Sequence, residues 1–392
     1  MITDGVKNKE NKRRVGIYVH VPFCLSKCHY CDFCSVRADE EKRQAYVEAL
    51  CREIDFVASK IKESGEEIPA ADTVYFGGGT PSLLTPAQFG AVLDTIDKAF
   101  GIYDGAEITA EANPKTADGE KLSLMRKTGI NRLSIGMQSV HDGELKNLGR
   151  IHTFGDFVSI FDAAREAGFD NISADLMYGI PNQSRESFAQ SVRTLAELDP
   201  EHISSYCLTV EEGTRFYRKR HTLNLPDEDT VSDMYADMTS ILSDFGYKKY
   251  EISNFSHKDK QSRHNLKYWQ RAEYLGFGPA AHSFFSGVRY GHSRDVDAYI
   301  AGKSIYSDVQ YITGREQTDE YVMLRMRLAD GVDIAEFERL FGVSFDAEYG
   351  KKLSKYAPEY VTMDTKTCKF TDKGMFVSNF ILSDVLDFDT VE

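Results

Sequence analysis

Along residues 15–252 the chain alternates short apolar runs with longer amphipathic stretches. The apolar runs predict strands at Val15–Val21, Thr73–Phe76, Glu107–Glu111, Arg132–Gly136, Asn171–Leu176, His202–Cys207 and Lys248–Ile252. Between them, apolar residues at helical spacing predict helices near residues 39–62, 86–99, 118–128, 155–167, 184–197 and 227–245. Strand–helix alternation of this kind implies a parallel sheet with crossover helices. Six or seven such units point to an α/β fold, a partial or full TIM-like (βα) barrel, in preference to a doubly wound open sheet.

In βα barrels the reactive groups gather at the C-terminal ends of the strands. The distinctive residues of this chain follow the predicted strands in that manner. Four cysteines come after the first, Gly77-Gly78-Gly79-Thr80 after the second and Glu111 at the end of the third; Gln138 follows the fourth, and Asp175 lies near the end of the fifth.

After residue 253 the pattern changes. Residues 254–300 are rich in His, Asn and aromatics and show little periodicity. From 317 to 385, helical stretches precede short strands around Tyr360–Met363 and Lys369–Thr371, and a final helical run spans Met375–Val385. The expected organisation is a barrel over residues 1–252, a linker region over 253–316 and a smaller α+β domain over 317–392.

A length of 392 residues suits two or three domains, or one large barrel with an appendage. Lysines and arginines number 47 against 61 acidic residues, a net charge of −14. That excess argues against nucleic-acid binding, which needs a basic face. Every apolar run falls well short of the roughly 18–20 residues of a membrane span. Residues 1–14 are polar and carry no apolar signal core, so a cytoplasmic protein is expected.

Cysteine spacing changes the picture most. Cys24, Cys28, Cys31 and Cys34 fall close together, while Cys51, Cys207 and Cys368 are scattered and read as small buried hydrophobes. Clustered thiols in a large chain with no export signal suit metal or redox chemistry better than disulfides. Structural zinc sites normally use two paired knuckles separated by a long gap. Three cysteines in one short loop suit an iron–sulfur cluster instead. On a four-iron cubane, three protein ligands leave one iron open. Cys34, three residues past Cys31, reads as a bystander; as a fourth ligand it would seal the cluster.

Cys24-Leu25-Ser26-Lys27-Cys28-His29-Tyr30-Cys31 resembles the CxxxCxxC signature of the radical S-adenosylmethionine (SAM) superfamily, with Tyr30 as its usual aromatic. The resemblance implies a 4Fe–4S cluster on Cys24, Cys28 and Cys31, with SAM chelating the open iron and cleaved by one electron to a 5′-deoxyadenosyl radical. Gly78, Gly79 and Thr80 resemble the glycine motif that holds the SAM amino group. Glu111, Gln138, Arg150, Asp175 and Tyr18 match SAM-site positions of the coproporphyrinogen oxidase-like branch.

Within that branch the chain resembles the HemW type of heme chaperone more than the oxygen-independent coproporphyrinogen III oxidases. Those oxidases continue the signature as CxxxCxxCxC; here the last position is Phe33. They also carry a longer segment ahead of the first strand. His264-Asn265-Leu266-Lys267-Tyr268-Trp269 matches the HNxxYW motif associated with heme binding in the HemW group. A neutral imidazole is an ordinary ligand of heme iron, and Tyr268 and Trp269 offer flat apolar surface to a macrocycle. The other reading of this cluster is a buried histidine beside core aromatics. His282 is a second, weaker candidate. The resemblance implies a chaperone that binds heme, the cluster and SAM and delivers heme to respiratory membrane enzymes such as cytochromes. It would be peripheral at the membrane during delivery and able to form a homodimer. The alternative is SAM-dependent oxidative decarboxylation of coproporphyrinogen III to protoporphyrinogen IX.

Overall fold

The computed structural model describes residues 13–303 and 306–387. Six strands lie side by side and parallel in chain order: β1 (Arg14–Val21), β2 (Ala70–Gly78), β3 (Ile102–Ala112), β4 (Arg132–Gln138), β5 (Ile172–Tyr178) and β6 (His202–Cys207). The connections carry helices α1 (Glu40–Glu63), α2 (Pro86–Ala99), α3 (Gly119–Lys127), α4 (Asp142–Leu148), α5 (Phe154–Glu166), α6 (Arg185–Glu197) and α7 (Glu228–Asp244). Six of these helices begin at a side chain that accepts a first-turn amide: Asp39, Thr85, Asp118, Thr153, Ser184 and Asp227. Each such cap is worth about 1 kcal/mol and fixes where the helix starts.

Side chains on a strand alternate between its two faces, and here the alternation sorts chemistry from packing. Ile17, Val19, Val74, Phe76, Leu133, Ile135, Ala174 and Leu176 belong to one continuous core shared with the helices. The intervening positions face the lumen and are polar. They meet one another across it: Tyr75 donates to Glu111 at 3.0 Å and Ser134 to Asp175 at 3.1 Å, and the Ser173 hydroxyl lies 2.7 Å from His202 Nδ1.

Past β6 the chain forms β7 (Lys248–Lys249), β8 (Asn254–Ser256), helix α8 (Arg263–Trp269), β9 (Tyr274–Phe277), β10 (His282–Phe285), β11 (Val288–His292) and β12 (Tyr306–Tyr311). The outer edge of β6 pairs antiparallel with β8, and that of β1 pairs parallel with β9. Both edges are thus occupied by other strands, and the six-stranded cylinder stays open along one side. Helix α8 closes the lumen from below. Its first amides, those of Arg263 and His264, each donate to the Glu107 carboxylate at 3.0 Å, and Lys267 pairs with Asp72 at 2.7 Å.

Two expectations are corrected. Lys248–Ile252 is not a seventh parallel strand: only Lys248 and Lys249 are extended, and they pair antiparallel with β8. The chain reverses there, with Tyr250 N–H on Asn254 O at 3.1 Å. Residues 253–316, expected as a linker, instead supply α8 and five strands of the large sheet. Those strands are three to six residues long and carry Tyr, His and Gly among their apolar residues, which hides the alternation.

A second core gathers Phe337, Phe345, Tyr349, Cys368 and Ile381. It lies among α9 (Gly314–Arg325), α10 (Ile334–Phe341), α11 (Asp372–Phe376), α12 (Ser378–Val385) and the sheet β13 (Val332–Asp333), β15 (Thr367–Phe370), β14 (Val361–Met363). Arg271–Glu320 at 2.8 Å, the Lys249–Asp372 ion pair and Ala329 N–H on Tyr250 O at 2.9 Å tie this unit to the barrel. Among the described residues no helix is long and apolar enough to cross a membrane.

Candidate functional site

A cavity of about 560 Å³ opens at the C-terminal ends of the barrel strands. The loop between β1 and α1 forms one wall and carries the clustered cysteines. It is held from several sides. Cys24 N–H donates to Val36 O at 3.0 Å, the His29 ring meets Asn147 O at 2.9 Å and Arg215 at 2.8 Å, and Arg294 reaches the Asp32 carboxylate at 3.3 Å. Cys24, Cys28 and Cys31 are free thiols lining the cavity. Thr80 Oγ1 lies 3.5 Å from Cys24 Sγ, and Arg150 Nη1 lies 3.6 Å from Cys28 Sγ. Cys34 is buried outside the lining and donates to Arg294 O at 3.2 Å.

No three metal-ligating side chains among the described residues converge closely enough to hold a single ion. A four-iron cubane asks for a wider set, with one thiolate at each of three separate corners. Three free thiols on one pinned loop, open to a cavity and flanked by the Arg150 cation, fit that requirement. Burial pushes the Cys31 thiol up to about 11, so iron would have to draw off its proton on binding.

The other wall comes from the strand ends. Gly78 sits at φ +103°, and a Cβ there would lie 2.5 Å from the His20 ring. A Cβ on Gly79 would meet the carbonyls of Phe23 and Val21 at 2.7 and 2.8 Å. Both glycines are required by the close approach of β2 to β1 as well as by any ligand above them. Glu111 accepts from the Tyr75 hydroxyl and, at 3.2 Å, from Gly78 N–H. Burial, helped by the nearby Asp175 carboxylate, pushes Glu111 up to about 7, and burial pushes Asp175 up to about 6. Arg150 donates to Gly136 O at 3.0 Å and to Asn113. Gln138 ends β4 at φ +72°, a conformation that a non-glycine residue adopts mainly where the surroundings enforce it.

The structure therefore brings Tyr30, Gly78, Gly79, Thr80, Glu111, Gln138, Arg150 and Asp175 to one cavity with the three thiols. Tyr18 stands apart from the lining: its ring stacks behind Tyr75, with centroids 6.3 Å apart. Cys207, expected to be buried, is exposed in this cavity at the end of β6, because the β6 edge lies beside the open side of the barrel.

The HNxxYW segment corrects another expectation. His264 is only 1% exposed; Nδ1 lies 2.8 Å from Thr73 Oγ1 and Nε2 lies 2.8 Å from the Tyr268 hydroxyl. Burial drives its pKa down to about 3. Both ring nitrogens are engaged inside the lumen floor, so His264 does not fit as a ligand of heme iron in this conformation. Trp269 is half-buried beneath Arg327, and His282 is exposed at the start of β10. Only Asn265 of this motif lines the cavity.

Tyr75, Asn113 and Arg132 also line the cavity and were not singled out in the sequence. Tyr75 and Arg132 sit at lumen-facing positions of strands, two residues before Gly77 and Ser134. A polar residue repeating every second position inside a strand covered by helices was the signal available.

Residues 18–195 match the family model of the radical SAM superfamily, and residues 312–377 match that of the HemN C-terminal domain. The heme chaperone HemW of Bacillus subtilis (strain 168) is 35% identical over 370 residues, covering 92% of this chain and 96% of that protein. The heme chaperone HemW of Lactococcus lactis subsp. lactis (strain IL1403) is 33% identical over 380 residues, covering 94% and 97%. Coproporphyrinogen III oxidase (HemN) from Escherichia coli superposes with a TM-score of 0.82 at 24% identity, over 96% of this chain and 91% of that one. That likeness establishes the fold: a radical SAM barrel with a HemN-type C-terminal domain. The superfamily implies a 4Fe–4S cluster and SAM. Kinship over nearly the full length of both chains places this protein in the HemW family of radical SAM proteins.

Proposed function

We propose that this protein is a heme chaperone that receives heme and passes it to heme-requiring respiratory proteins. The observation that carries the reading is its near full-length identity to relatives named heme chaperone HemW. Cys24, Cys28 and Cys31 would hold the cluster and leave one iron open. When bound, the cluster supplies single electrons to SAM. Gly78, Gly79 and Thr80 would receive the methionine end of SAM. Glu111, flanked by Tyr75 and Gly78, would accept from ribose hydroxyls. Gln138, Arg150 and Asp175 would line the far side, and Tyr30 would close the wall beside Arg150. Tyr18 acts through Tyr75, which it backs.

The rim of the cavity supports the heme part of this reading. Leu25, Phe33 and Ile151 are 46%, 65% and 50% exposed and edge the same opening. Exposed apolar side chains grouped at a cavity mouth commonly mark a binding surface, and a flat macrocycle matches this one. Phe33 stands where a further cysteine would continue the oxidase signature. The rim, not His264, is therefore our candidate cargo surface. The protein would be peripheral at the membrane when it meets a membrane-bound recipient, and a homodimer is a further state to be measured.

The test is an anaerobic heme titration of the cluster-loaded protein followed by Soret absorbance. Saturable binding that weakens in Phe33→Ser is expected. Absence of saturable binding, or turnover of coproporphyrinogen III to a decarboxylated product with SAM and reductant, would overturn the chaperone reading.

A further inference from the structure

Arg132 begins β4, enters the lumen and lines the cavity from below. It is 2% exposed, and its Nε has no hydrogen-bond partner. Among the described residues, no side chain or carbonyl hydrogen-bonds its guanidinium and no carboxylate forms an ion pair with it. Arg150 in the same cavity makes the contrast: its donors are taken up by Gly136, Asn113 and Cys28.

A guanidinium carries five donors and keeps its charge at any ordinary pH. Buried charges in native proteins are paired, and a buried polar group without a partner calls for an explanation. Thr109 adds a second orphan. It stands beside Arg132 in the β3–β4 register, and its hydroxyl also lacks a partner. Two unsatisfied donors on adjacent strands thus sit side by side at lumen-facing positions.

We propose that Arg132, assisted by Thr109, is a binding site for a ligand carboxylate. The planar fork suits a carboxylate held by two parallel hydrogen bonds. The charge balance favours a monoanion: Glu111 and Asp175 lie within the field of Arg132 without closing on it, and they would repel a phosphate dianion more strongly. The carboxylate at hand is a propionate of heme, an assignment that rests on the chaperone reading; the methionine end of SAM belongs beside Gly78 and the cysteine loop, three strand positions above Arg132.

The experiment uses cluster-loaded protein under anaerobic conditions. Heme is titrated beside heme dimethyl ester, and SAM beside decarboxylated SAM, into wild type, Arg132→Gln and Thr109→Val. Charge-assisted bonds of this kind correspond to roughly a ten- to hundredfold preference for the acid form. Arg132→Gln should abolish that preference for heme over its ester, leave affinity for the ester unchanged and leave the SAM ratio unmoved. Thr109→Val, which nearly conserves volume, should narrow the same ratio by about fivefold and keeps the test open if Arg132→Gln does not fold. Collapse of the heme ratio with the SAM ratio kept assigns the propionate; collapse of the SAM ratio in either variant overturns that assignment. If neither ratio moves in either variant, the proposal is wrong. Wild type that binds neither heme nor its ester refutes the chaperone reading, and the propionate assignment falls with it.

Discussion

Glu111→Gln should stabilise the SAM-free protein at alkaline pH while weakening its hold on SAM. Burial, with Asp175 adding to it, raises Glu111 from an ordinary 4.5 to about 7. Between those two values the folded protein keeps a proton that the unfolded chain has already released. Stability therefore falls as pH rises through that window. At about 1.4 kcal/mol per pK unit, the deficit above pH 7 is on the order of 3 kcal/mol. Glutamine keeps the shape and removes the charge. It can still accept from Gly78 N–H, and the Tyr75 hydroxyl can turn to accept from the new amide. The difference in Tm between Glu111→Gln and wild type, measured on cluster-loaded protein without SAM, should be small at pH 5 and grow toward pH 8. Calorimetric titration with SAM at pH 8 should show the opposite ranking, since the ribose hydroxyls lose an ionised acceptor. A Tm difference that stays flat from pH 5 to pH 8 would refute the argument.

Cys34→Ala should retain the iron content and absorbance of the cluster, because its thiol faces Arg294 O; Cys28→Ala should lose both, and iron analysis distinguishes them. His264→Gln can replace only one of two buried hydrogen bonds, so it should lower stability by about 1–3 kcal/mol in thermal unfolding. Bound heme should keep its Soret maximum in that variant; a shifted maximum would make His264 an iron ligand after all. Gly78→Ala forces a Cβ into the His20 ring and strains φ +103°. It should cost about 1 kcal/mol or more and reduce SAM affinity, as thermal unfolding and SAM titration would register.

The barrel strands and the crossover helices other than α4 are legible in the sequence, because apolar positions facing the helices recur with a steady period; α4 is only seven residues long, and β3 begins five residues ahead of the expected Glu107. The cysteine loop was legible from spacing alone. Tyr75 and Arg132 were harder to see: a polar residue inside a strand reads as noise until its neighbours are known to form a lumen. Helix α8 is seven residues long, too short to show a periodicity, so nothing local revealed that His264 points inward. Cys207 is exposed against the sequence expectation because its exposure depends on the edge position of β6, a property of sheet order and not of the local sequence. The strands after residue 273 are hidden for the same reason: β9 takes its place by pairing with β1, and β10, β11 and β12 pair outward from it.

A closed barrel has its bore fixed by strand number and stagger. The cylinder here has no β1–β6 hydrogen bonds to hold its girth. Its girth is set instead by the contacts of α8 with β2 and β3 and by the helices packed outside it. A wall built this way is a split sleeve: no closed ladder of hydrogen bonds locks its bore to a single value.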